Sequence, residues 1–246
     1  MDFIDYNFTI DLTNKDIIGV DEVGVGDYFG PMCAAAVYIP YTNYEAVKNL
    51  GVQDSKKLSD LKIKKIATAL KSSGLIKYAY YQLSPSGYNK LNKSYNANVL
   101  KMFIHLKVIN EIRKNMNHCD FIFIDQYSVK NSIKKYYDEL VIRNNWAKFE
   151  PIQEDVLLAY KGEEYSLCVA AASIIARDFF LTKIQDLNNK YSTTFPLGAG
   201  STTKKFAKEF FKQVNYDEKI MNDVCKMSFK MDILEDLECT KNIKLF

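Results

Sequence analysis

Apolar runs separated by polar punctuation set the layout of this chain. Ile17-Ile18-Gly19-Val20 drives into Asp21-Glu22, and glycines follow at positions 24, 26 and 30. A short apolar run bounded by glycines predicts a buried strand, here over 16–23. Cys33 to Ile39 predicts a second strand, closed by Pro40. Ser59 caps a helix through about Lys71, which Gly74 can end, with Leu61, Ile66 and Leu70 near helical spacing. Leu75 to Leu83 predicts a third strand, broken by Pro85 and Gly87. Tyr88 to Met116 predicts one long helical region with Leu91, Val99, Met102, Phe103, Leu106, Ile109 and Ile112 on its apolar face.

Phe121-Ile122-Phe123-Ile124 is a continuous apolar run, as expected of a central strand covered on both faces, and it ends in Asp125. Ser128 or Asn131 then starts a helix to about Asn144, and Pro151 to Ala159 predicts a fifth strand. Tyr165 to Asn188 predicts a helix whose Ala170-Ala171-Ala172-Ser173 stretch allows close packing. Thr203 to Val214 predicts a basic helix carrying Lys204, Lys205, Lys208 and Lys212. Residues 1–16 form a weakly patterned lead-in, and the tail from 217 predicts a short helix. Strands first, then strands alternating with helices, predict an α/β fold: a mixed five-stranded sheet flanked by helices with a helical C-terminal part. No linker interrupts the chain, so residues 1–246 are expected to form a single domain.

The carboxylates change the picture. An unpaired buried carboxylate is costly, so Asp21-Glu22 at a strand end needs a partner, for which a metal ion is one choice. A turn with both acids in solvent is the other reading that this stretch leaves open. Asp125 ends another apolar strand, and ligand sites in α/β sheets lie beyond strand ends. Carboxylates without histidine favour hard cations such as Mg²⁺ or Mn²⁺. The two histidines, His105 and His118, read as packing or surface residues. One geometric objection stands. Neighbouring strand residues point to opposite faces, so Glu22 must reach round a twisted strand end to join Asp21. Gly24-x-Gly26 is not a dinucleotide fingerprint, because Phe29 takes the third glycine's place and Pro31 and an apolar strand follow, where a helix is needed.

Composition narrows the classes. A hydrophobic fraction of 48% over 246 residues suffices for one large core. The net charge of +3 permits nucleic-acid binding without requiring it. Five scattered cysteines with no C-x-x-C pair argue against a disulfide framework or a structural zinc site and fit a reducing cytoplasm. The acidic start, Met1-Asp2-Phe3-Ile4-Asp5, lacks the cationic opening of a signal peptide, and Leu167 to Ala176 is too short to cross a bilayer. No membrane partner is expected.

Several motifs together resemble a known family. Asp21 to Pro31 resembles the opening motif of ribonuclease HIII, within the type 2 ribonucleases H. Asp54-Ser55-Lys56-Lys57-Leu58 matches a second motif and Ile124-Asp125-Gln126 a third. Lys161-Gly162-Glu163 with Val169 to Arg177 matches a fourth, and Gly198-Ala199-Gly200 a later loop. The resemblance runs over about 17–212. It is closer to type HIII than to type HII, because Val25 replaces the usual arginine and the fourth carboxylate is Glu163.

The resemblance implies a ribonuclease H-like fold and hydrolysis of RNA in an RNA/DNA hybrid, with 5′-phosphate and 3′-hydroxyl products. It implies Asp21, Glu22, Asp125 and Glu163 as catalytic ligands of two Mg²⁺ or Mn²⁺ ions about 4 Å apart, a pair that stabilises attacking and leaving oxygens. Asp178 matches no catalytic position and is expected in a salt bridge or on the surface. Gly24, Val25 and Gly26 are expected to read the 2′-hydroxyl through the main chain, since that group separates RNA from DNA. Ser55, Lys56 and Lys57 are expected on phosphate and sugar. A monomer is expected. Two departures are visible: only 20 residues precede Asp21, where relatives commonly carry a substrate-binding domain, and Leu197 stands where the later loop usually has lysine. The rival readings are a type HII-like enzyme removing single ribonucleotides from DNA, and a catalytically weak hybrid-binding protein.

Overall fold

The computed structural model describes residues 1–53 and 55–231. Asp54 of the second motif, Cys239 and the end of the predicted tail lie outside the described residues. The strands are β1 (Phe3–Asp5), β2 (Ile17–Val23), β3 (Met32–Tyr38), β4 (Lys77–Leu83), β5 (Phe121–Asp125) and β6 (Asp155–Ala159). The α-helices are α1 (Tyr44–Asn49), α2 (Asp60–Ser72), α3 (Pro85–Leu91), α4 (Ala97–Arg113), α5 (Lys130–Tyr137), α6 (Leu167–Tyr191), α7 (Ser201–Gln213) and α8 (Glu218–Val224).

One mixed sheet in the order β1-β6-β5-β2-β3-β4 carries the molecule. The short Gly24–Pro31 connection brings β3 back antiparallel to β2, whereas helical crossovers make β5 and β6 parallel to it. The α/β architecture is the expected one, but the sheet has six strands and not five. The sixth, β1, lies inside the lead-in and pairs with β6. Three residues cannot display an alternation, so the sequence pattern misses it.

Both faces of the sheet are covered. Ile18, Val20, Ala34, Ile122 and Ile124 pack under α4, and Ile17, Ala35, Val37, Phe123 and Leu157 pack under α2 and α6. Helix α6 crosses β2 at backbone contact. A Cβ on Gly19 would stand 2.2 Å from the Cys168 carbonyl carbon, so only glycine fits there. The small residues Ala170, Ala171 and Ala172 extend that close approach. A third apolar cluster, with Phe29, Phe195, Phe210, Phe211 and Met221, lies under α7 and α8.

Other differences are local. The predicted 88–116 helix is two helices, because the Asn96 side chain accepts from the Asn98 and Val99 amides and starts α4 afresh. In α2, capped by Ser59 as expected, the buried residues are Ile63, Ile66, Ala67 and Leu70, while Leu61 is 67% exposed. Helix α5 runs on into a wider π-type segment, Asp138–Arg143. Cys33, Cys119, Cys168 and Cys225 are buried free thiols. Among the described residues no helix is long and apolar enough to cross a membrane.

Candidate active site

The parallel β2–β5 register places Val20 beside Ile124, so Asp21 and Asp125 emerge side by side at the carboxyl ends of their strands. Strand alternation puts both on the α6 face, with Ile17 and Phe123. Glu163 joins them from the short 3₁₀ turn Gly162–Glu164 that follows β6. The Gly162 amide donates to Asp125 Oδ1 at 2.8 Å, which fixes this turn against the strand end. A cavity of about 520 Å³ opens here, lined by Asp21, Glu22, Asp125, Ser55, Lys56 and Arg177 among others.

The site is electrostatically unbalanced. Burial pushes the Asp21 carboxyl well above the usual carboxylate range. The Glu22 and Asp125 charges add to this, against bonds from the Ser173 hydroxyl and the Glu22 amide. Burial also raises Asp125, to about 6, with Glu163 and Glu22 adding repulsion and the Gly162 amide opposing. Glu163 Oε1 lies 3.0 Å from Lys56 Nζ, while its Oε2 is buried with no partner. Crowded carboxylates, with Glu163 Oε2 left without a hydrogen-bond partner, fit a hard divalent cation such as Mg²⁺ or Mn²⁺.

Glu22 stands apart. The strand stays regular through Val23, so the Glu22 side chain projects onto the α4 face. There its carboxylate lies 3.0 Å from Lys101 Nζ and 2.8 Å from His105 Nε2, while still bordering the cavity. Burial would raise it, but bonding and charge from His105 and Lys101 overcome this and hold it at about 2. His105 is therefore more than a packing or surface residue: fully buried, it is the partner that holds Glu22 from behind. Lys101 and His105 are one helical turn apart on α4, a spacing common on any helix. Only the packing of α4 on β2 marks them. His118 is exposed, as expected, and Asp178 forms a salt bridge with Lys71 at 2.5 Å.

The second motif docks on the same cavity. Ser55 Oγ lies 2.7 Å from Ser173 Oγ, and Ser173 in turn bonds Asp21. Ser173 and Arg177 sit in the fourth motif without an assigned role. In the structure Ser173 links Ser55 to Asp21, and Arg177 grips Asp60 Oδ1 through Nε at 3.2 Å and Nη2 at 3.1 Å. Lys57 is exposed in the short turn Ser55–Lys57.

The glycine loop is held on two sides. Tyr28 donates its amide to Gly198 O at 3.0 Å, and the Gly198 amide donates to Asp27 Oδ1 at 2.6 Å. On the other side, Phe29 bridges to Cys225. The fold itself demands Gly24, whose φ is +88° and whose Cβ would stand 2.3 Å from Pro31 O. It does not demand Gly26: a Cβ there would meet nothing within 4 Å. Gly26 is bare main chain turned toward open space, while Val25 packs partly against the core. Helix α7 is amphipathic as expected, burying Thr203, Ala207, Phe210 and Phe211 and leaving Lys205 and Lys212 exposed.

Comparison with known proteins places these features in a group. The family described as Ribonuclease HII matches residues 18–232. The chain is 33% identical over 221 residues to ribonuclease HIII of Enterococcus faecalis, covering 89% of this chain and 68% of that protein. It is 37% identical over 202 residues to ribonuclease HIII of Bacillus mycoides, covering 80% and 61%. Among solved structures, Bst-RNase HIII in complex with Mn²⁺ superposes with a TM-score of 0.82 at 29% identity, covering 94% of this chain and 72% of that one. The chain thus spans about two thirds of the length of the relatives it matches.

Proposed function

The chain belongs to the ribonuclease HIII branch of the ribonuclease HII family of hydrolases, and on that premise we propose that it cleaves the RNA strand of RNA/DNA hybrids. The observation that carries this reading is the meeting of Asp21, Asp125 and Glu163 on one face of the sheet, close to a loop whose Gly26 main chain is bare.

Asp21, Asp125 and Glu163 would hold Mg²⁺ or Mn²⁺, with Glu22 at the cavity edge. Such ions, when bound, activate water and neutralise charge on the leaving 3′-oxygen. The protein's own groups do the rest. Lys101 and His105 keep Glu22 ionised and fixed. The Ser55–Ser173 pair orients Asp21. Lys56 offsets the carboxylate charge, and Ser55, Lys56 and Lys57 would meet phosphate and sugar, contacts that position without reading sequence. Main-chain groups of Gly24, Val25 and Gly26 approach the ribose and detect the 2′-hydroxyl whatever the base. The chain acts as one catalytic unit, and the products carry 5′-phosphate and 3′-hydroxyl ends.

Matched RNA/DNA, RNA/RNA, DNA/DNA and single-ribonucleotide duplexes, each with Mg²⁺ or Mn²⁺, test the proposal. Cutting is expected within ribonucleotide runs paired to DNA, with little at a single ribonucleotide. Efficient cutting at a single ribonucleotide would move the chain to the type HII-like reading. Hybrid binding without cutting would make it a binding protein.

A further inference from the structure

Lys226 is fully buried, a rare place for lysine. It lies just beyond α8, where Cys225 has turned extended at φ −133° and ψ 159°. Three bonds tie this short segment to the glycine loop. The Gly30 amide donates to Val224 O at 2.9 Å, and the Lys226 amide donates to Tyr28 O at 2.9 Å. The Lys226 ammonium then donates to Gly30 O at 2.7 Å. Both main-chain groups of Gly30 are thus held from one side, while Phe29, between Tyr28 and Gly30, is buried in the aromatic cluster.

An ammonium in this position is costly. Burial drags it down to about 8, against the opposing pull of Asp27, Cys225 and Cys33. An apolar side chain of similar length, such as methionine, would fill the space without that penalty. Packing therefore does not explain the lysine, whereas its bond to Gly30 does. Around Gly26 the loop faces open space, so its position rests on the bonds made at 27–30, of which the Lys226 ammonium supplies the one to Gly30 O.

We infer that Lys226 is a positioning residue for substrate binding, its ammonium setting the height of the 24–30 loop against the hybrid. The inference rests on the functional reading above. It adds a residue far from the carboxylates in sequence that governs affinity without touching substrate.

The test compares wild type, Lys226→Met and Lys226→Gln, each melted first to establish folding. For Lys226→Met, KM for an RNA/DNA hybrid is expected to rise about tenfold, the worth of one bond to a charged group, while kcat falls by less than threefold. Amide hydrogen exchange at 26–30 should quicken with the rest of the sheet unchanged. Lys226→Gln, which keeps a donor, should recover part of the KM. An unchanged KM in a folded Lys226→Met protein, with wild type active, would overturn the inference alone. Failure of both variants to fold would overturn it too, making Lys226 a core residue only. A wild type that neither binds nor cuts hybrid would sink the functional reading, and the inference with it.

Discussion

Asp125→Asn should make the metal-free protein more stable while abolishing cleavage. In the fold Asp125 ionises at about 6, against an ordinary value of 3.8. A gap of that size is worth at most about 3 kcal/mol. Water reaches this partly buried side chain, and screening reduces the figure to about 1–2 kcal/mol. The sign follows from the raised folded value. Below about pH 4 both folded and unfolded chains hold the proton, and no penalty exists. Between about 4 and 6 the unfolded chain ionises first, so native stability falls as pH rises, and the loss is complete above that window. Asparagine removes the charge but keeps an oxygen to accept the Gly162 amide, now bonded at 2.8 Å. In EDTA at pH 7.5 the variant should melt about 2–6 °C above wild type, and at pH 4 the gap should vanish. Saturating Mn²⁺ should lift wild type far more than the variant, because only an intact ligand set binds the ion tightly in the native state. A variant that melts below wild type in EDTA, gains as much from Mn²⁺, or cuts hybrid at near the wild-type rate would refute the assignment.

The remaining predictions separate fold from function. Gly26→Ala should leave the melting temperature unchanged, since the new methyl would meet nothing within 4 Å in the protein, and should weaken hybrid binding if the proposed main-chain contact to the ribose is made there; Gly19→Ala should cost about 3 kcal/mol or more, because its methyl would strike the α6 backbone 2.2 Å away. His105→Ala should destabilise by about 2–4 kcal/mol in thermal melts, as it strips a buried carboxylate of a partner, and His105→Gln should restore part of it; a His105→Ala protein melting like wild type would remove His105 from the site. Lys56→Ala, titrated with hybrid at several salt concentrations in Ca²⁺, should lower the salt slope by about one unit if its ammonium leaves Glu163 for phosphate; an unchanged slope would confine Lys56 to its carboxylate partner.

The sequence by itself determined what is local. Apolar runs bounded by acids, prolines or glycines predicted five of the six strands, and Ser59 marked the start of α2 through its own hydroxyl. Ordered motifs pointed to Asp21, Glu22, Asp125 and Glu163 together, without separating Glu22 from the other three. Alternation, capping and turn chemistry act within about four residues, so they are legible in one dimension. What the tertiary structure decided lies in pairings between distant segments. Strand β1 is too short to show a pattern and exists only because β6, some 150 positions on, accepts it. That Asp21 and Asp125 adjoin depends on the β2–β5 register, which burial of both sheet faces sets and no neighbouring residue encodes. The pleat that joins those two also turns Glu22 away, to Lys101 and His105, whose spacing on α4 gave no hint of it. Lys226 reads in the sequence as an ordinary polar residue; only the packing of the 224–226 segment on the glycine loop takes it out of water and gives its charge a task.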